Sequence, residues 1–232
     1  IVAKCDYAVT VSGCYNYGKI TNKCEAVRYV GGIIGNSRSA NYDNTKPVNI
    51  TGCENAGPIE IHASPYTEND ALVEFGVGGI CGMLQNANLN ACVNTGKITI
   101  AATSSTSIYV GGIAGMRRGS YDTSITGCVN GTENMTSSLF DFQTTEGDCK
   151  FGGVLGHCHK SSGALNITNC TNNSPFTVSN AGAIFQVGGI SGAIVENVLL
   201  KATDCVNNGA MTFTSVSTDQ KIFGGLFGYM RS

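Results

Sequence analysis

A two-part motif recurs six times along the 232-residue chain, and recurrence of this kind confines the fold to architectures that stack or circle like units. One half reads apolar-x-x-Cys-x-Asn-x-Gly-x-apolar, at Val11 to Ile20, Ile50 to Ile59 and Leu89 to Ile98, with degraded copies at Ile125 to Asn134, Ile167 to Phe176 and Ala202 to Met211. The other reads apolar-Gly-Gly-apolar-x-Gly, at Val30 to Gly35, Val77 to Gly82, Val110 to Gly115, Phe151 to Gly156, Val187 to Gly192 and Phe223 to Gly228. The halves alternate. From Cys14 through Cys53, Cys92, Cys128 and Cys170 to Cys205 the steps are 39, 39, 36, 42 and 35 residues, a mean near 38.

Each half carries strand chemistry. Short runs of Val, Ile and Thr alternate with polar residues, as in Ile98-Thr99-Ile100, and Gly or Asn interrupts them before a 3.6-residue period can develop. With two glycine-punctuated segments per unit, the pattern predicts an all-β parallel β-solenoid with about two coils per repeat. That makes about twelve coils and a rod of roughly 55 to 60 Å at about 4.8 Å per coil. The alternative is a six-bladed β-propeller, whose four-stranded blades also need about 40 residues. In the solenoid, glycine serves where the chain turns with positive φ or where backbones pass closely. The recurring Asn16, Asn55, Asn94, Asn130, Asn172 and Asn207 suit such turns and can hydrogen-bond along the rod as an amide ladder. The long excursions, His62 to Gly76 and Met135 to Lys150, read as surface loops.

Composition narrows the function classes. With 42% hydrophobic residues and 13% charged ones, the chain can bury a core, and residues 1–232 read as one repeat domain. Fourteen basic against 16 acidic residues leave no basic face for phosphates, which argues against a nucleic-acid partner. No window approaches 18 uninterrupted apolar residues, so no membrane span is expected. The opening Ile1-Val2-Ala3-Lys4 is not a signal peptide, and the chain reads as a mature or excised part of a longer polypeptide.

The repeated Cys14, Cys53, Cys92, Cys128, Cys170 and Cys205 share one position and predict an internal column of reduced thiols. With two coils per unit, neighbours stand about 9 to 10 Å apart, beyond disulfide reach. Cys5, Cys24, Cys81, Cys149 and Cys158 follow no period, and one bridge among them is compatible with the sequence. His157-Cys158-His159 is the only metal-like cluster, but no other repeat supplies a further His, and the sequence reading is a surface histidine pair with no metal and no cofactor. Ser191 breaks the nucleophile-elbow pattern and reads as structural. The glycine motif lacks the helix and Lys-Ser/Thr pair of a phosphate loop, and the carboxylates of Glu68-Asn69-Asp70 and Glu146-Gly147-Asp148 fit solvated turns. Catalytic residues are therefore not expected. Candidate ligand contacts are Tyr42-Asp43 and Tyr121-Asp122, which follow their Gly pairs at similar distances and would offer an aromatic face beside a carboxylate to surface carbohydrate.

The pairing of Val-Gly-Gly-Ile-x-Gly with x-x-Cys-x-Asn-x-Gly-x-Ile resembles the GLUG-motif repeats of large secreted and surface-attached bacterial proteins, across essentially the whole chain. It departs in using Ile more than Leu after the Gly pair, and it decays at Asn130-Gly131-Thr132 and Asn172-Asn173-Ser174. The resemblance implies an extracellular or cell-surface, adhesin-like or stalk-like setting and brings no catalytic residues. The expected function is a noncatalytic structural or adhesin-like module. The alternatives are a fibre subunit that stacks on itself end to end and a β-helix carbohydrate-active enzyme.

Overall fold

A computed structural model describes residues 2–5, 9–23, 28–38, 47–62, 74–101, 107–142, 148–159, 163–178, 185–195, 198–213 and 221–231. Among these residues every regular element is a strand, and every strand pairing is parallel. The chain is a β-solenoid. A propeller is excluded, because equivalent strands of successive repeats lie side by side and in register.

Each repeat makes one coil, not two. The coil that contains the first long excursion of the polypeptide illustrates this: strands Val48–Thr51, Glu54–Asn55, Ile59–Ile61, Phe75–Gly78 and Cys81–Gln85 follow one another around it. The next strand, Ala87–Asn90, returns to lie on Val48–Thr51 with Leu89 over Ile50. The two halves of the motif are therefore opposite walls of one coil, and the physical reason is a contact between them. A Cβ on the second glycine of each of the first five pairs would meet the ladder asparagine of the next repeat, at 2.3 Å from Cγ of Asn94 for Gly79 and 2.2 Å from Cγ of Asn130 for Gly112. Gly and Asn must therefore sit at one level. The rod shortens accordingly: the largest sheet has seven strands, so it spans six steps, about 29 Å at about 4.8 Å each.

That contact forms a waist between two apolar lobes. The first lobe packs Ile33, Ile80, Ile113, Val154 and Ile190, which follow the Gly pairs, against Val48, Ile50, Leu89, Ile125, Ile167 and the cysteines. The second packs Val77, Val110, Phe151 and Val187, which precede the Gly pairs, against Ile59, Ile61, Ile98, Ile100, Phe140, Phe142 and Phe176. Strands of the type Val48–Thr51 and Ile59–Ile61 alternate buried and half-buried residues, as the period-2 reading requires. Phe140–Phe142 lies within the excursion assigned to a surface loop. It is a strand in register with Ile98–Ile100, and its two phenylalanines are buried.

The ladder runs through every repeat. Nδ2 of Asn16, Asn55, Asn94, Asn130 and Asn172 donates to Oδ1 of the next asparagine at 2.7, 2.9, 2.9, 2.8 and 2.8 Å, ending on Asn207. At Asn16, Asn55, Asn94, Asn172 and Asn207 the same amide group also donates to the carbonyl two residues on, as Asn94 to Gly96 at 3.1 Å. Asn55, Asn94, Asn130 and Asn172 are fully buried, and these amide hydrogen bonds are what make their burial tolerable. Ladder asparagines are not the left-handed residues. Positive φ falls on the residue before each column cysteine: Gly13, Gly52, Ala91, Gly127, Asn169 and Asp204.

The cysteine column is present, but its spacing differs from the expectation. With one coil per repeat, neighbours lie about one strand spacing apart, near 4.8 Å, which is inside the Cα range of disulfides. All six are thiols in the structure, as are Cys5, Cys81, Cys149 and Cys158. Each column thiol points at a carbonyl of its own coil, Cys53 to Thr51 at 3.5 Å and Cys170 to Thr168 at 3.4 Å. Cys128, hydrogen-bonded to Cys170 and Cys92 and buried, is held well above the ordinary thiol range. Burial likewise pushes Cys81 up to about 12.

Candidate functional site

Uniform positions of the repeat build the rod, so chemistry is to be sought where the residue type varies along the stack. One such place exists. The strands that enter the Gly-Gly corner (Tyr29–Gly31, Phe75–Gly78, Ile108–Gly111, Cys149–Gly152, Phe185–Gly188 and Lys221–Gly224) form a leading sheet. Those that leave it, from Ile34–Arg38 to Phe227–Arg231, form a trailing sheet, joined at its edge by Val2–Cys5. The two sheets pack face to face outside both apolar lobes. Near the corner only glycine fits, since a Cβ on Gly82 would stand 2.6 Å from the backbone nitrogen of Val30.

Farther from the corner, larger side chains fill the slot. In register along the leading sheet stand Tyr29, Gly76, Tyr109, Lys150, Gln186 and Ile222. Along the trailing sheet stand Asn36, Met83, Met116, His157, Ala193 and Tyr229. Apart from the neighbouring Met83 and Met116, no two adjacent members of either row match. Tyr109 covers His157 with ring centroids 4.4 Å apart, and the Lys150 ammonium lies 4.8 Å from the centroid of Tyr109. Oδ1 of Asn36 and Oε1 of Gln186, both at slot positions, are buried without a hydrogen-bond partner.

At the mouth of the slot, Glu74, His157 and His159 each bring one ligand atom within 4.8 Å of the others. Glu74 precedes Gly76 by two residues in the chain, so it shares the slot-facing side of its sheet. Its Oε1 lies 3.4 Å from Nδ1 of His159, and Nη1 of Arg118 donates to its Oε2 at 3.2 Å. His157 is buried, which corrects the reading of a surface pair, whereas His159 is half-buried. Nδ1 of His157 donates to the carbonyl of Ala193 at 3.3 Å, and because a carbonyl only accepts, the lone pair of this neutral ring resides on Nε2. Burial, then the nearby Lys150 and His159, hold His157 well below the ordinary imidazole range. Desolvation also lowers Lys150 and raises Tyr29 and Tyr109. The adjoining cleft, about 570 Å³, is lined by Arg28, Tyr29, Asn36, Met83, Gln85, Arg118, Gly119 and His159.

Sequence reasoning named the two histidines but missed Glu74, which lies more than 80 positions from them; only the i, i+2 spacing to Gly76 hinted at its face. Tyr42 and Asp43 lie outside the described residues. Tyr121 is half-buried, and its carbonyl accepts from the buried Arg117, while Oδ1 of Asp122 accepts from the backbone of Ala164 at 2.8 Å. With Pro47, Asn86, Asn88 and Ser120 they line a hollow of about 350 Å³. Of the acidic loops, Glu68, Asp70 and Glu146 also lie outside the described residues. Ser191 is buried at the register position of Leu155 and Phe227, in keeping with a structural place. Among the described residues no helix is long and apolar enough to cross a membrane. Comparison with family models, with curated proteins and with solved structures finds no match to the chain.

Proposed function

We propose that this chain is a noncatalytic structural module of an extracellular bacterial surface protein, a stiff stack of coils that spaces or presents what is attached to it. The supporting observation is that the repeated polar position, the asparagine, is spent on cohesion between coils, which makes the stack a continuous spine. The GLUG-like motif supports the surface setting. Two measurements test the reading. Antibodies raised against the chain are expected to label intact cells of its source, and labelling only after lysis would overturn the location. Incubation with a panel of polysaccharides is expected to release no new reducing ends, and turnover would overturn the noncatalytic assignment.

A specific observation also favours end-to-end assembly. The large apolar side chains that stand exposed belong to the first and last described coils: Val9, Tyr15 and Tyr17 at one end, and Leu199, Val206, Phe223, Leu226 and Met230 at the other. The terminal strands there are paired on one side only. A second copy of the chain would continue the parallel register across that junction. Sedimentation at rising concentration is expected to show growing particles that Val206→Glu with Met230→Glu returns to monomers; a monomer at all concentrations would refute stacking.

A further inference from the structure

We propose that Glu74, His157 and His159 form a binding site for one divalent transition-metal ion of the zinc class, held across the slot with its fourth position open to the cleft. The donor set is two imidazole nitrogens and one carboxylate oxygen, a combination suited to zinc and its neighbours rather than to calcium or magnesium, which prefer all-oxygen shells. Geometry supports it in three ways. First, donors around a tetrahedral zinc with bonds of about 2.05 Å stand about 3.3 Å apart. The Glu74 Oε1 to His159 Nδ1 distance is already 3.4 Å, and the 4.8 Å limit on the whole set leaves a movement of side chains alone.

Second, His157 is oriented as a ligand. The Ala193 carbonyl takes its Nδ1 proton, which fixes the tautomer and leaves the Nε2 lone pair, the second-shell arrangement that metal-bound histidines use. Tyr109 packs on the ring and restrains its rotation. Third, Arg118 engages the other carboxylate oxygen of Glu74, so it aims Oε1 without occupying it. Arg118 and Lys150 add positive charge around the site. That charge disfavours a bare dication and favours an anionic fourth ligand, hydroxide or a carboxylate, entering from the cleft. Glu74 comes from one repeat and the histidines from the second repeat after it, so a bound ion would clamp coils that are not neighbours in the chain.

The test is a titration of the full chain, stripped with chelator, with Zn²⁺ against a chromophoric chelator, and with Co²⁺ read by visible absorption. Expected are one ion per chain, a cobalt spectrum of a four-coordinate site without a thiolate charge-transfer band, and a higher melting temperature with Zn²⁺. Glu74→Gln and His159→Ala, at half-buried positions, are expected to weaken binding at least tenfold while leaving metal-free melting nearly unchanged. They keep the proposal open to refutation if the buried His157→Ala fails to fold. No uptake by the wild-type chain, equal uptake by both variants, or a thiolate band that assigns the ion to the cysteine column would each overturn it.

Discussion

Replacing Asn94 by alanine removes the centre of the buried ladder. Three hydrogen bonds disappear: Asn55 Nδ2 to Asn94 Oδ1 at 2.9 Å, Asn94 Nδ2 to Asn130 Oδ1 at 2.9 Å, and Asn94 Nδ2 to Gly96 O at 3.1 Å. One hydrogen of Asn55, Oδ1 of Asn130 and the carbonyl of Gly96 are left behind in buried positions. Each stranded group costs about 1 to 3 kcal/mol, so after partial relaxation the expected loss is about 3 to 6 kcal/mol. That is a large share of the roughly 5 to 15 kcal/mol that holds a typical domain. Asn207→Ala is the control: at the half-buried end of the ladder it removes two hydrogen bonds rather than three, stranding one hydrogen of the buried Asn172 and the carbonyl of the buried Gly209, for a smaller loss of about 2 to 4 kcal/mol. Urea unfolding followed by circular dichroism measures both. If Asn94→Ala costs less than about 1 kcal/mol, or no more than the control, the ladder is not the spine of the stack. Asn94→Asp sharpens the test, because a carboxylate offers no donor and its native pKa must rise above the unfolded value of about 3.9. Its penalty is therefore full at neutral pH and must shrink as pH falls toward about 4; a constant penalty would refute the burial argument.

Gly112→Ala places a Cβ 2.2 Å from Asn130 Cγ and from the Gly153 carbonyl and is expected to prevent coil closure, whereas Gly52→Ala, with φ +59° and open space around it, costs only about 1 to 2 kcal/mol; thermal melts separate the two. Ala91 holds φ 51°, so Ala91→Gly is expected to stabilise by up to about 1 kcal/mol, and a loss on unfolding titration would contradict the turn assignment. Alkylation at mildly basic pH followed by mass spectrometry is expected to reach Cys14 and Cys205, which are half-buried, and to spare Cys53, Cys92, Cys128 and Cys170 until the chain unfolds. His157 faces Lys150, Tyr109, Glu74 and His159 and stays neutral in the native state while its unfolded form protonates near pH 6.5. Below that pH stability should fall by up to about 1.4 kcal/mol per unit, a slope that His157→Asn removes; an unchanged slope would assign the acid sensitivity elsewhere.

The strand chemistry, the parallel stack and the membership of the asparagine and cysteine columns were legible in the primary structure, because a repeat places like residues in one line along the stack whatever the shape of the coil. Spacing along the chain does not report how many times the chain turns between copies, and that number depended on a contact invisible in one dimension, the ladder amide seated on the second glycine of the opposite wall. The same contact halved the rod and brought the thiols to about one strand spacing. The irregular residues were the least legible. Glu74 and His157 are more than 80 positions apart and belong to different repeats. Nothing in a periodic pattern marks them, since the pattern records what recurs. By itself the sequence determined the unit and which recurring residues share a column; only the tertiary structure decided that they are direct neighbours and where the two sheets close over non-recurring side chains, because that slot arises from backbones held together by glycine and exists only once the coils have stacked.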